Sequence, residues 1–181
     1  MIEYVVMGMV LHKPLTGYDI KKEIETGIGN FYKSSYGNLY PALKKLTDKG
    51  FLTLTEQTHV DRLKKYYLAT ELGKTAFLEW LTSPLDPGYE SISLLIRVFF
   101  FGELSEDIRT QELHKHELYI QQRLQQLQEM EKQFSKPNMD SRYYYEMSTL
   151  YHGIMFIQGT MRWLKHIREQ KPLSEIIHQE E

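Results

Sequence analysis

Between Asn30 and Leu68 the apolar pattern switches from a helical period to a strand period, and this restricts the fold more than any other feature of the chain. From Ser34 to Leu46 the residues Leu39, Ala42, Leu43 and Leu46 take the i, i+3, i+4, i+7 positions of one helix face. Thr53-Leu54-Thr55 and Lys65-Tyr66-Tyr67-Leu68 then read as short strands around a polar tip at Thr58 to Arg62. A short amphipathic helix backed at once by a basic hairpin predicts a helix-turn-helix with a wing. That order of elements suits a DNA groove far better than it suits catalysis.

With 181 residues there is room for one full domain and a smaller partner. The formal charge of −2 is unevenly spread. Residues 1–85 hold 11 Lys/Arg against 9 Asp/Glu, net +2, whereas residues 86–181 hold 11 against 15, net −4. A basic front and an acidic back fit a binding half and a non-binding half, or scatter between two small samples. The chain has no cysteine, which excludes disulfide scaffolding, thiol catalysis and cysteine-based metal sites. Ile2 to Leu11 is apolar but short and interrupted by Glu3, so it is expected to be neither a signal peptide nor a membrane span. A cytoplasmic protein is expected.

Further signals place the elements. Ile2 to Leu11 reads as a first helix, and Thr16 with Asp19 forms a capping-box pattern for a second. Gly27 and Gly29 suit a left-handed turn at its end. The third helix starts near Ser34 or Ser35 and ends at Gly50, with Pro41 expected to tighten its first turn. Thr70 caps a fourth helix, and Pro84-Leu85-Asp86-Pro87-Gly88 reads as an interdomain linker. The second half reads as helical throughout. An apolar run from Ser91 to Phe101 is broken by Arg97, and Ser105 opens a helix in which Leu113, Ile120, Leu127 and Phe134 recur every seven residues, with Leu124 between them. After a break at Lys136-Pro137-Asn138, a last helix from Asp140 to Arg168 carries an apolar stripe too wide for one contact face. The expected fold is mainly α with a small β-hairpin. A winged helix-turn-helix DNA-binding domain spans 1–84 and an α-helical dimerisation domain spans 89–181, with Leu113, Ile120, Leu124, Leu127 and Phe134 at the dimer interface.

Three motifs in order carry a family resemblance. They are Leu15-Thr16-Gly17-Tyr18-Asp19-Ile20, Tyr40-Pro41-Ala42-Leu43-Lys44-Lys45-Leu46 with Gly50-Phe51-Leu52, and Lys65-Tyr66-Tyr67-Leu68-Ala69-Thr70 with Gly73. Together they resemble the PadR family of phenolic-acid-responsive transcriptional regulators, across the whole chain. The resemblance implies a winged helix-turn-helix and, as in the larger members, a C-terminal helical domain that dimerises.

The DNA face is also read from the residues alone. With Leu39, Ala42, Leu43 and Leu46 inward, the opposite face of the third helix holds Ser34, Gly37, Pro41, Lys44 and Asp48, flanked by Tyr40 and Lys45. Tyr36, Asn38 and Tyr40 can reach base edges or phosphates, and the two lysines suit phosphates. At the wing, Arg62, Lys64 and Lys65, with His59, are candidates for backbone or minor-groove contact. In the competing reading Tyr36 and Tyr40 pack against the hairpin and the lysines are a solvated face.

The expected function is a sequence-specific DNA-binding transcriptional regulator, a dimeric repressor on an inverted-repeat operator. Small aromatic effectors are considered, with Arg97, Tyr144, Tyr151 and His152 as candidate ligands. The alternative for Arg97 is a snorkelling or ion-paired side chain, and for the aromatics a dimer core. A protein-interaction module or an activator without a ligand is the rival. His114 and His116 point in different directions on a helix and make a poor metal pair, and no phosphate loop, nucleophile elbow or paired-carboxylate motif occurs. An enzyme is not expected, and neither is a metal, a cofactor or a membrane partner.

Overall fold

The computed structural model describes residues 1–32, 36–59, 62–85, 90–134 and 141–176. Ser34, the turn of the hairpin and most of the 84–88 linker lie outside the described residues, as do the side chains of Tyr36, His59 and Arg62. Helix α1 is Ile2–Met9 and is apolar nearly all round, burying Val5, Val6, Met7 and Met9. Strand β1, Leu15–Thr16, runs straight into helix α2, Gly17–Gly27. The capping box forms as its sequence requires. Thr16 Oγ1 accepts from the Asp19 amide at 3.2 Å, and Asp19 Oδ2 accepts from the Thr16 amide at 3.2 Å.

The end of α2 differs from expectation. Neither Gly27 nor Gly29 has positive φ; the helix closes on Ile28, whose amide donates to the Ile24 carbonyl at 3.0 Å. Gly29 is needed for space instead, since a Cβ there would lie 2.3 Å from the Glu25 carbonyl oxygen. The left-handed glycine sits elsewhere. A 3-10 turn at Tyr36–Asn38 leads into helix α3, Leu39–Asp48, and Gly50, at φ +72, follows it. The Gly50 and Phe51 amides donate to the Thr47 and Leu46 carbonyls, both at 2.9 Å, which closes a Schellman motif. The tight first turn agrees with Pro41, which has no N–H to offer the Gly37 carbonyl.

Strands β2, Leu52–His59, and β3, Arg62–Ala69, are longer than their apolar cores suggested. They pair antiparallel from Leu52↔Ala69 to His59↔Arg62. Strand β1 joins the far side of β3 through Leu15↔Tyr67 and Thr16↔Tyr66, so the sheet order is β1-β3-β2. Leu52 and Ala69 are buried at the base and Tyr66 to Leu68 are half-buried on β3, whereas Thr53 to Thr58 on β2 and Leu63 to Lys65 on β3 are exposed. The outer part of the ladder, solvated on both sides, is a projecting wing. Helix α4, Glu71–Thr82, is capped by Thr70, whose Oγ1 accepts from the Gly73 amide at 3.0 Å.

The chain forms two compact units, Met1–Ser105 and Glu106–Glu181. The division falls one helix later than the 84/89 boundary expected. Helix α5, Glu90–Phe99, and the 3-10 turn after it bury Leu94, Ile96, Phe100 and Phe101 within the first unit. Phe100 meets Phe77 edge-on at 5.2 Å and fills the space a Cβ on Gly8 would need. Side-chain burial of this kind, about 1.5–3 kcal/mol for each large apolar group, outweighs the linker-like composition just upstream.

In the second unit, helices α6, Glu106–Phe134, and α7, Ser141–Arg168, run antiparallel. Arg168 Nε donates to Glu117 at 2.8 Å near one end, Gly153 faces Leu127, and the Tyr143 hydroxyl donates to the Phe134 carbonyl at the other. Leu113 and Ile120 on α6 and Met147, Ile154 and Leu164 on α7 are buried. Leu113 and Ile120, expected at an interface between chains, are therefore covered within one chain. Leu124 and Leu127 are half-buried and Phe134 is 49% exposed. No helix among the described residues is long and apolar enough to cross a membrane.

Candidate nucleic-acid interface

Helix α3 buries Leu39, Ala42, Leu43 and Leu46, as its spacing requires, and this turns Gly37, Asn38, Tyr40, Pro41 and Lys44 outward, all exposed. Tyr40 does not pack away under the hairpin. Its side is 63% exposed and its ring lies over the first turn of α2, 3.0 Å from where a Gly17 Cβ would stand. Gly17 is small because Tyr40 is there. Between Tyr40, the start of α2 and the inner side of β3 lies a groove of about 600 Å³, bordered by Tyr18, Leu63, Lys64, Lys65 and Tyr67. The groove is mixed in charge: Lys64 and Lys65 line it together with Asp19, whose amide and carboxylate are both engaged in the Thr16 capping box.

Three of these groups, Tyr18, Leu63 and Tyr67, were not among the residues expected at the DNA face. Tyr18 is 70% exposed and Leu63 60% exposed, both bordering the groove. The signal for Tyr18 was available: it is an aromatic residue in the first turn of a capped helix, two positions from the inward-facing Ile20. Leu63 carried none, because alternation on a strand solvated on both faces does not mark which side is used.

The lysines are not equivalent. Lys44 has no carboxylate partner among the described residues, whereas Lys45 Nζ lies 2.5 Å from Glu3 Oε1 on α1. Lys65 Nζ lies 3.5 Å from Glu56 Oε1, the residue opposite it in the ladder. Lys64 is exposed, opposite Gln57. Ser34 and the side chains of Tyr36 and Arg62 lie outside the described residues.

The effector candidates are not brought together. Arg97 is fully buried in the first unit. Its guanidinium donates to the Ser83 carbonyl, to the Pro84 carbonyl at 3.0 Å and to Ser83 Oγ at 3.2 Å, and it stacks 4.9 Å from the Trp80 ring centre. It closes the C-terminal end of α4, where its partners among the described residues are protein groups, neither the solvent nor the glutamate of the alternative reading. Tyr144, Tyr151 and His152 lie on exposed parts of α7 in the second unit. His114 is exposed and His116 buried, and no group of three metal-ligating side chains occurs among the described residues.

Residues 6–79 match the family model described as Transcriptional regulator PadR-like family, and residues 92–170 match one described as Virulence activator alpha C-term. Among curated proteins, the Negative transcriptional regulator PadR of Bacillus subtilis (strain 168) is 30% identical over 138 residues, which is 75% of this chain and 74% of that protein. The crystal structure of Bacillus subtilis PadR in complex with operator DNA is 24% identical with a TM-score of 0.44, covering 93% of this chain and 97% of the other. A PadR-like transcriptional regulator from Bacillus cereus covers 99% and 100%, at 21% identity and a TM-score of 0.41.

Proposed function

Because this chain belongs to the PadR-like family of transcriptional regulators, which are DNA-binding proteins and not enzymes, we propose that it is a dimeric cytoplasmic repressor acting on an inverted-repeat operator. The observation that carries the reading is the pairing of an outward-facing α3, with Tyr40 and Lys44 exposed, to a hairpin whose outer part is solvated on both faces. Tyr40 and Lys44 stand exposed on a helix whose other side is buried, and only the Tyr40 ring, against Gly17, has a packing role. They suit a major groove, with the wing reaching the flanking backbone.

Two copies are inferred from the second unit. After α6 and α7 have covered one another, Tyr144, Tyr145, Tyr151, Met155 and Phe156 on α7 remain exposed, with Leu118, Met130 and Phe134 on α6. Apolar surface of that extent fits an interface. A dimer face drawn from these residues, together with the outer parts of Leu124, Leu127 and Phe134, replaces one centred on Leu113 and Ile120. A small aromatic effector, if bound by the second unit, would meet Tyr144, Tyr151 and His152 there, without Arg97.

Repression is supported by the negative-regulator role of the Bacillus subtilis relative. Activation has one observation on its side, the match of residues 92–170 to a model named for a virulence activator. Deleting the gene and measuring transcripts of the adjoining genes separates them. Repression predicts a rise that the intact gene reverses when restored; a fall would show activation.

A further inference from the structure

We infer that Glu3 and Glu56 hold Lys45 and Lys65 back from DNA, and so lower the sequence-blind part of this protein's affinity. The inference rests on α3 and the hairpin being the DNA face. Both ion pairs join separate elements, α3 to α1 and β3 to β2. Lys45 leaves the flank of α3 to meet Glu3 in the first turn of α1, and Lys65 on β3 meets Glu56 directly across the ladder. The lysine side chains remain 54% and 55% exposed. They are accessible to a phosphate, yet each already lies beside a carboxylate of its own protein.

Exposed pairs of this kind add little to folding. Their effect on a polyanion is larger. A phosphate approaching Lys45 or Lys65 must displace a carboxylate, and the displaced carboxylate stays close enough to repel it. A lysine paired within its own protein also leaves fewer counterions to be released from DNA, so its contact adds less salt-dependent affinity. Lys44, with no carboxylate partner among the described residues, is left as the ungated phosphate contact of α3. The outcome is weaker holding on any duplex, so less protein is retained on DNA that lacks the operator. Base-reading groups such as Asn38 and Tyr40 are unaffected.

The test uses the full-length protein and a fluorescein-labelled mixed-sequence duplex of about 30 base pairs, followed by anisotropy through a sodium chloride series. Glu3→Gln and Glu56→Gln are each expected to tighten binding about two- to fivefold at low salt. Each should also steepen the salt slope by up to about 0.9. In Lys45→Gln and Lys65→Gln backgrounds the corresponding gain should vanish. A gain of equal size with and without the lysine would be a general charge effect and would overturn the proposal, as would no gain in either variant. If Glu3→Gln does not fold by circular dichroism, the Glu56/Lys65 set decides alone. Failure of the unaltered protein to bind any duplex would instead overturn the DNA face on which the proposal stands.

Discussion

Lys44 and Tyr40 stand at the two ends of one physical distinction. Lys44 offers a mobile point charge, which finds a phosphate on any duplex; Tyr40 offers a hydroxyl and a ring held over Gly17, which can prefer one base edge to another. Lys44→Ala is therefore expected to weaken binding to operator and random DNA by the same factor and to reduce the salt slope by about one. Asn38→Ala and Tyr40→Phe should weaken the operator preferentially, by about 1–3 kcal/mol where a base contact is lost. Titrations of both duplexes by anisotropy check this, and equal losses on every sequence for both classes would contradict the division. At this scale the sequence was legible where a residue's role is local. The Thr16–Asp19 capping box, the Thr70 cap and the inward face of α3 all depend on neighbours within one turn. Arg97 was not legible, because its carbonyl partners, Ser83 and Pro84, lie in the segment just past the end of α4.

Among elements, α5 changes the account most. Its apolar run was evident, but which half of the chain it covers depends on Gly8, Phe77 and Trp80, far away in sequence. Arg97 ties it to the end of α4 while Phe100 fills the gap at Gly8. A fragment of residues 1–84 should then expose that surface, and it should melt well below a fragment of residues 1–105 or fail to fold. Losing several buried groups at about 1.5–3 kcal/mol each is enough to consume the stability of a small domain. Thermal unfolding followed by circular dichroism reads this directly, and matching midpoints would show that α5 is a passive attachment. Strand β1 was missed for a different reason. Two residues carry no period, and Leu15–Thr16 became a strand only because β3 presents a free edge to it. The wing was underestimated for a related one: its outer half, Glu56 to His59, is polar on both faces and shows no alternation, yet the ladder continues through it.

The whole molecule divides into two compact units, Met1–Ser105 and Glu106–Glu181. Of the seven-residue repeat Leu113, Ile120, Leu127 and Phe134, the first two are buried within one chain, whereas Leu127 is half-buried and Phe134 exposed. A periodic stripe cannot say whether its partner is the same chain or another. What remains exposed, Tyr145, Met155 and Phe156 above all, is where a second copy would sit. If two copies present two α3 helices, the operator must repeat on one face of the duplex at a spacing of about one helical turn or a multiple of it. The measurement that tests this most directly is footprinting and titration on the intergenic DNA upstream of the protein's own gene, with and without about five base pairs inserted at the centre of the protected site. The account predicts a protected inverted repeat, and near-complete loss of binding on the insertion because one half-site rotates to the far side. Undiminished binding to the inserted site, or equal affinity for an isolated half-site, would contradict it.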